Sequence, residues 1–163
     1  MCPRGSTPML LLALVATPAI PQPGTAQEGL RLGLALGGPG LIGVVAEWRW
    51  DDHGAELLLT TFQFRDLSVS VAGKQYFGDS WLKPVVGGGL WFIAGSSPDG
   101  AGHALVARFP LGVDWRMAGR HHLTVELNVS RGLWVNRPDP ADGTPVNPRF
   151  ITLPGLSYRL DTG

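Results

Sequence analysis

Ser96, Ser97, Asp99 and His103 lie close together in the sequence and are the residue types that acyl transfer uses. A hydroxyl nucleophile, an imidazole base and a carboxylate that orients the base are the usual participants in such a reaction. The segment around them is rich in glycine, serine and proline, so composition alone also accounts for their presence. No lipase-type strand–turn–helix motif accompanies them. We therefore predict a protein that is not an enzyme, and keep an acyl hydrolase or transferase as an alternative.

A second group of reactive side chains is the histidines. His121 and His122 follow Arg120 in a predicted turn, whereas His53 and His103 lie in other predicted connections. A structural or catalytic metal ion needs three or four protein ligands, and two adjacent histidines supply too few. The sequence therefore predicts solvated turn histidines, with neither a metal ion nor a cofactor.

Residues 1–26 have the three-part organisation of a secretory signal peptide. Arg4 and the amino terminus provide positive charge, residues 9–15 are apolar, and small residues lead up to Ala26, where we expect cleavage. The apolar run is about half of the roughly 20 residues that a membrane anchor requires. The single cysteine, Cys2, precedes this run, which argues against a lipoprotein. We therefore expect an exported protein.

The rest of the chain, residues 27–163, is predicted to form one domain of about 137 residues. This part contains no cysteine, so no disulfide framework stabilises it. The net charge is zero and no basic patch stands out, which argues against nucleic acid as a partner. The chain has 23 glycines, which is high, and many short segments in which apolar and polar residues alternate. This combination favours β-structure with many turns.

Eight segments alternate with the two-residue period of a β-strand. They are residues 30–36, 41–50, 55–64, 67–77, 84–94, 105–117, 123–134 and 150–160. Most are as long as the roughly 9–11 residues that a tilted strand needs to cross a bilayer. The pattern predicts an all-β fold, an eight-stranded antiparallel up-and-down β-barrel that is transmembrane.

The polar face of these segments mixes arginines with carboxylates and glycines, and lysine is scarce. In a closed eight-stranded barrel the interior is just wide enough for side chains, so charges there must form pairs. Charges so paired fill the interior and leave no pore. The predicted interior charge network consists of Glu47, Arg49, Arg108, Asp114, Arg116, Glu126 and Arg159.

Aromatic residues gather near both ends of the predicted strands, as they do at the two interfaces of a bilayer. The predicted aromatic girdles consist of Trp48, Trp50, Trp91, Trp115, Trp134 and Tyr158. If the chain begins in the periplasm, the short turns at residues 51–54 and 118–122 are periplasmic. Residues 95–104 and 135–149 then form long external loops, which is the asymmetry typical of outer-membrane barrels.

The last predicted strand contains PGLSYRL, in which Gly155, Tyr158 and Leu160 form the pattern G-x-x-Y-x-L. This pattern resembles the final strand that the barrel assembly machinery recognises in bacterial outer-membrane β-barrels. The stretch KPVVGGGLWF is similar to the glycine-rich middle strand of small OmpA-like or OmpX-like barrels. The resemblance implies a Gram-negative outer-membrane protein whose partners are outer-membrane lipid and the assembly machinery. We expect a monomer.

Three functions stay open at this point. The first, which we favour, is a non-enzymatic outer-membrane barrel with a structural role or a surface-binding role through its extracellular loops. The second is a soluble periplasmic lipocalin-like binding barrel with inverted faces, because Leu57, Leu58 and Leu59 make both faces of one strand apolar. The third is an outer-membrane lipid-modifying acyl hydrolase or transferase, since some such enzymes resemble this chain in size and architecture.

Overall fold

A computed structural model describes residues 28–64, 66–97, 100–137, 139, 142, 144–145 and 149–162. The predicted signal peptide, residues 1–26, lies outside the described residues. The described part contains strands and turns, with no helix long and apolar enough to cross a membrane.

The eight predicted strands are confirmed, with shifts of up to five residues at their ends. They are β1 (Gly29–Gly37), β2 (Ile42–Trp50), β3 (His53–Thr61), β4 (Asp66–Tyr76), β5 (Leu82–Ser97), β6 (Gly100–Ala118), β7 (His121–Asn136) and β8 (Ile151–Asp161). Each strand pairs in antiparallel fashion with its neighbours in the chain, and β8 pairs with β1. The sheet therefore closes into an eight-stranded up-and-down barrel and leaves no open edge around its body.

The two ends of the barrel differ in their connections. The terminal end is the one at which β1 begins and β8 finishes, and its turns are short, as at Asp51–Asp52 between β2 and β3. The loop end is the opposite one. There the connection between Asn136 and Ile151 is long, as predicted, whereas the connections that follow β1, β3 and β5 are as short as those at the terminal end. Residues 131–136 of β7 pair with β6 but not with β8, so these strands project beyond the barrel wall at the loop end.

Alternation along each strand sorts side chains between the interior and the outer surface. In β2, for example, Glu47 is completely buried, whereas its neighbour Trp48 is 55% exposed. The same alternation in β7 buries Glu126 and exposes Val125 and Leu127. Polar side chains consequently face the interior and apolar ones face outward, which is the reverse of a soluble barrel.

The predicted external loop at residues 95–104 is wrong, because most of it is strand. β5 continues to Ser97 and β6 begins at Gly100, with Gly95 paired to Gly102 and Ser96 to Ala101. These residues are small, so the two backbones can continue their hydrogen-bonded ladder although the composition is typical of a loop. Residues 98 and 99 lie outside the described part of the chain.

The prediction that Trp91 belongs to an outer girdle is also wrong. Trp91 is 5% exposed and faces the barrel interior, where its indole N–H donates a hydrogen bond to the hydroxyl of Ser68. It shares the inward phase of β5 with Val85, Gly87 and Gly89. Phe92, the next residue, takes the outward position and is 40% exposed.

The turn between β1 and β2 folds into the barrel at the loop end. Pro39 is fully buried, and its carbonyl accepts hydrogen bonds from the hydroxyls of Thr60 at 3.0 Å and Ser68 at 2.9 Å. Gly37 and Gly38 have φ angles of 73° and 69°, a left-handed conformation that glycine adopts without steric cost. The turn therefore fills this end of the interior with backbone and proline.

Inward-facing glycines allow neighbouring strands to approach closely. A Cβ atom on Gly89 would lie 2.0 Å from the carbonyl oxygen of Val71, whereas one on the outward-facing Gly88 would meet nothing closer than Phe109 at 3.8 Å. We expect Gly89→Ala to lower the free energy of unfolding by about 1–3 kcal/mol, because backbone atoms must move to admit the methyl group. Denaturant unfolding of the refolded barrel measures the change.

The matched control is Gly88→Ala on the same strand, where the methyl group has room. It should leave the unfolding midpoint close to that of the parent chain. Equal losses in the two variants would show that close approach at Gly89 is not what the fold requires.

Candidate functional site

The candidate site is the set of charged side chains inside the barrel. Among the described residues, ten Asp, Glu, Lys and Arg side chains are buried, five cations and five carboxylates, together with one histidine. The cations are Arg31, Arg49, Lys74, Arg108 and Arg159; the carboxylates are Glu47, Glu56, Asp114, Glu126 and Asp161. With the histidine neutral, the formal charges of the interior cancel.

Glu56 is the centre of the larger of two clusters. Its carboxylate accepts hydrogen bonds from Lys74 Nζ at 2.5 Å, Arg108 Nη1 at 2.8 Å and Arg159 Nη2 at 2.6 Å. These four residues come from β3, β4, β6 and β8, so their contacts join strands across the interior. A buried carboxylate with three cationic partners repays its desolvation far better than one with a single partner.

Two further carboxylates complete this central cluster. Glu126 forms ion pairs with Lys74 and, at 3.3 Å, with Arg108 Nη2. Glu47 forms an ion pair with Arg159 and accepts a hydrogen bond from the hydroxyl of Tyr76. The central cluster therefore holds three carboxylates and three cations, and their charges balance.

The smaller cluster lies at the terminal end and contains Arg31, Asp114, His122, Thr124 and Asp161. Arg31 donates to Asp161 at 2.6 Å and to Asp114 at 3.3 Å. His122 Nδ1 lies 3.0 Å from Asp114, and its Nε2 lies 3.3 Å from Asp161 and 3.2 Å from Arg31 Nη2. Arg31 is on β1 and Asp161 on β8, so this cluster crosses the seam where the barrel closes.

Arg49 stands apart from both clusters. Its guanidinium lies 3.5 Å from the ring centroid of Tyr76, and its Nη2 donates to the carbonyl of Asp51 at 3.2 Å. Its Nε and Nη1 atoms have no hydrogen-bond partner among the described residues. Cation–π contact with Tyr76 is thus the main stabilising contact of this buried charge.

The structure places six of the seven predicted network charges inside the barrel. Arg116 is the exception, because it is half-exposed and forms no ion pair with any described residue. It lies beside a register shift between Arg116 and Ala118, at the end of β6, where the strand leaves the regular ladder. Its side chain therefore sits at the mouth of the barrel and not within a cluster.

Several members of the network were not predicted: Arg31, Glu56, Lys74, His122 and Asp161. Lys74 was detectable, since it shares the inward phase of β4 with Ser68 and Ser70. Glu56 was obscured by the leucines that follow it. The predicted solvated turn is wrong for His122, which is the second residue of β7 and is buried.

The other histidines lie outside the barrel. His53 stacks on Trp50, and His121 contacts the hydroxyl of Tyr158; both histidines are exposed. No group of three or more His, Cys, Asp or Glu residues in the described chain has the geometry to hold a metal ion.

Of the four residues considered for acyl transfer, the structure describes the side chains of two, His103 and Ser96. His103 lies on β6, with its ring centroid 4.9 Å from that of Trp134 and 6.0 Å from that of Phe92. Ser96 is on β5, and no hydrogen bond joins it to His103. The side chain of Ser97, and Asp99 as a whole, lie outside the described residues.

The remaining predicted aromatic and terminal-strand residues face outward, apart from Gly155. Those exposed near the terminal end are Trp48, Trp50, Trp115 and Tyr158, and Trp134 is exposed at the loop end. Leu160 is 39% exposed on the same face as Tyr158. Gly155 faces the interior, where a Cβ atom would lie 3.1 Å from the side-chain nitrogen Nδ2 of Asn128.

Side chains fill most of the barrel interior. A cavity of about 20 Å³ lies between the apolar side chains of Val45 and Leu58 and the polar ones of Glu56 and Asn128. Such a volume has room for about one water molecule. The charged interior is therefore a packed core and offers no wide path for solutes near this cavity.

An exposed ion pair in the β7–β8 connection contrasts with these buried ones. Asp142 accepts hydrogen bonds from the hydroxyl and backbone N–H of Thr144 and, at 2.7 Å, from Arg137. These bonds lower the pKa of Asp142 to about 2. Because solvent screens this pair, it serves as a reference for the buried charges.

We expect Glu56→Gln to lower the free energy of unfolding by about 3–5 kcal/mol, because it leaves three buried cations with two carboxylates. Asp142→Asn, which removes an exposed carboxylate, should change the stability much less. The double variant Glu56→Gln/Lys74→Gln removes one charge of each sign and should recover part of the loss. Denaturant titration of the refolded proteins measures all three, and a Glu56→Gln variant as stable as Asp142→Asn would contradict this account.

Comparison with known proteins finds no relative of this chain. No protein-family model matches the chain, and no curated protein or solved structure is significantly similar to it. The chain is thus described by its own architecture, a closed eight-stranded antiparallel barrel with a charged interior.

Proposed function

We propose that this chain is a non-enzymatic outer-membrane β-barrel that sits in lipid through its outer surface. The observation that carries the proposal is the distribution of apolar side chains. Thirty-three large hydrophobic residues are exposed among the described residues, whereas eight hydrophobic residues are buried. A protein in water normally buries such side chains, and soluble monomers rarely expose an apolar patch above a few hundred Å².

The placement of the charges argues against the soluble lipocalin-like alternative. That alternative needs apolar residues inside, around a ligand, and charged residues outside. Here Glu47, Glu56, Arg108 and Arg159 are buried at 1% exposure or less. A lipid environment accounts for buried charges and exposed apolar residues together, because it favours an apolar surface on all sides of the barrel.

The dimensions of the barrel suit a bilayer. The shortest strands have nine residues. At roughly 3.3 Å per residue and a tilt of about 40°, such a strand spans about 20 Å, close to the roughly 25 Å apolar band of outer-membrane barrels. Aromatic side chains border this band, among them Trp48 and Trp115 near the terminal end and Phe92 and Trp134 near the loop end. Aromatic rings favour the two interfaces of a membrane.

The packed interior favours a structural or binding role over transport. An eight-stranded barrel is narrow, and the ion pairs around Glu56 occupy its centre. We propose that the terminal end faces the periplasm, and that the loop end, with the projecting part of β6 and β7, faces outward and carries any surface contacts. The barrel assembly machinery would insert such a chain, which we expect to be a monomer.

Arginine substitutions on the outer face test this proposal. Leu111 and Leu127 are paired across β6 and β7, and both face outward. Leu111→Arg and Leu127→Arg should each cost roughly 2–4 kcal/mol of stability in vesicles, the cost of a charge near the middle of a bilayer. His53→Arg, at the rim, is the control and should cost about 0–1 kcal/mol. Heat-modifiable gel migration and denaturant titration report folding.

The soluble alternative predicts different results for the same proteins. A soluble barrel would accept an arginine at Leu111 without loss, and the parent chain would remain monomeric without detergent. Either result would refute the membrane proposal.

The interior packing gives a separate prediction. The folded protein should show no stepwise ion conductance in planar bilayers, because ion pairs occupy the centre of the barrel. Regular single-channel steps that a refolded, purified sample reproduces, and that a heat-denatured sample lacks, would show that the interior conducts.

A further inference from the structure

One charge in the strands is placed unlike all the others. Fourteen Asp, Glu, Lys and Arg residues lie in the eight strands, and Arg131 alone among them is exposed. Asp66, Lys83 and Arg116 are half-buried, and the other ten are buried inside. On the outer face of β7, Arg131 follows Val125, Leu127 and Val129. It therefore places a permanent cation on an otherwise uncharged apolar surface.

The position of Arg131 along the barrel is the rim at the loop end. Pairing between β7 and β8 stops at Ser130 and Ile151, so Arg131 lies just beyond the last paired residue. Its partner on β6 is Ala107, whose small side chain leaves space beside the guanidinium. In the proposed orientation, this is the depth at which the headgroups of the outer leaflet meet the apolar band.

One aromatic ring contacts this arginine, and a second lies further along the same strand. The guanidinium carbon lies 5.5 Å from the ring centroid of Phe150, which is 61% exposed. Trp134, also exposed, lies further along β7 and contacts His103. Trp134 is an amphipathic residue of the type that favours the headgroup region of a membrane, and the apolar ring of Phe150 suits the upper acyl chains.

Arg131 has no ion-pair partner among the described carboxylates. A cation on a lipid-facing surface needs a counter-charge or access to water, and a guanidinium binds phosphate oxygens through two parallel hydrogen bonds. The anion available at this depth of a membrane is the phosphate of a lipid headgroup.

We propose that Arg131, together with Phe150 and Trp134, forms a binding site for the phosphate-bearing headgroup of an anionic lipid. The proposal rests on the membrane location proposed above and adds to it a specific lipid contact. Arg131 binds the phosphate, and the two aromatic rings pack against the lipid beside it. The site fixes the rotation and depth of the barrel at its outer rim.

Lipid titration of the refolded protein tests this site. Parent chain, Arg131→Gln and Arg120→Gln are refolded in phosphatidylcholine vesicles and transferred to a mild zwitterionic detergent. Phosphatidylglycerol is then added, and bound lipid is counted by native mass spectrometry. Arg120 is an exposed arginine in the turn at the terminal end, so its variant has the same net charge as Arg131→Gln. We expect Arg131→Gln to weaken phosphatidylglycerol binding about fivefold, the effect of one charge-assisted contact near a surface.

The controls separate the explanations. Arg120→Gln should bind phosphatidylglycerol as the parent does, and phosphatidylcholine should bind equally to all three proteins. Equal binding of phosphatidylglycerol by the parent and Arg131→Gln would overturn the site. If inorganic phosphate, at the same concentration as phosphatidylglycerol, displaced the bound lipid, the site would bind phosphate in general and the proposal of a lipid ligand would be wrong. If the parent fails to fold in vesicles at all, the membrane proposal fails; if it folds without a preference for phosphatidylglycerol, only this site fails.

Discussion

Charge pairing inside a narrow closed barrel is the constraint on which the rest of this structure depends. Glu56 binds Lys74, Arg108 and Arg159, and these residues come from strands on different sides of the barrel. Removing such charges from water costs several kcal/mol each unless every charge finds partners. The two clusters satisfy this condition because each of their five carboxylates has at least one cationic partner, and with Arg49 included the buried cations and carboxylates are equal in number. Strand register must therefore be held closely, since a shift of one residue would turn the charges outward.

The same constraint determines what the outside can be. Because side chains alternate between the two faces of a strand, a strand with charged residues on one face has its apolar residues on the other. In β7, for example, Glu126 points inward, and its neighbours Val125 and Leu127 point outward. The outer surface consequently has the composition of a protein core. The membrane location proposed above would match this surface with lipid. Arg131 is the exception, because it is a charged residue on the outer face, at the rim where the proposed membrane location would place lipid phosphate groups.

Alternation in the sequence was enough to predict the eight strands, the closed barrel and most of the inward charges. The prediction failed where neighbouring residues do not differ in polarity. The three glycines before Trp91 hide which face that indole takes, and the leucines after Glu56 hide the polar face of β3. Residues 95–104 have a loop composition, yet their small side chains let the β5–β6 ladder continue. The ion pairs within each cluster join strands that are far apart in sequence. The periodicity of a single strand does not report which charges will meet.

The central claim is that this barrel carries its charges inside and its apolar side chains against lipid. Fluorescence quenching by lipids with brominated acyl chains measures the side on which a tryptophan lies. Two refolded single-tryptophan variants, one retaining Trp115 and one retaining Trp91, make the comparison within one fold. The account predicts strong quenching of Trp115, which is 40% exposed, and weak quenching of Trp91, which is 5% exposed. Strong quenching of Trp91 with protection of Trp115, or no quenching of either, would contradict it.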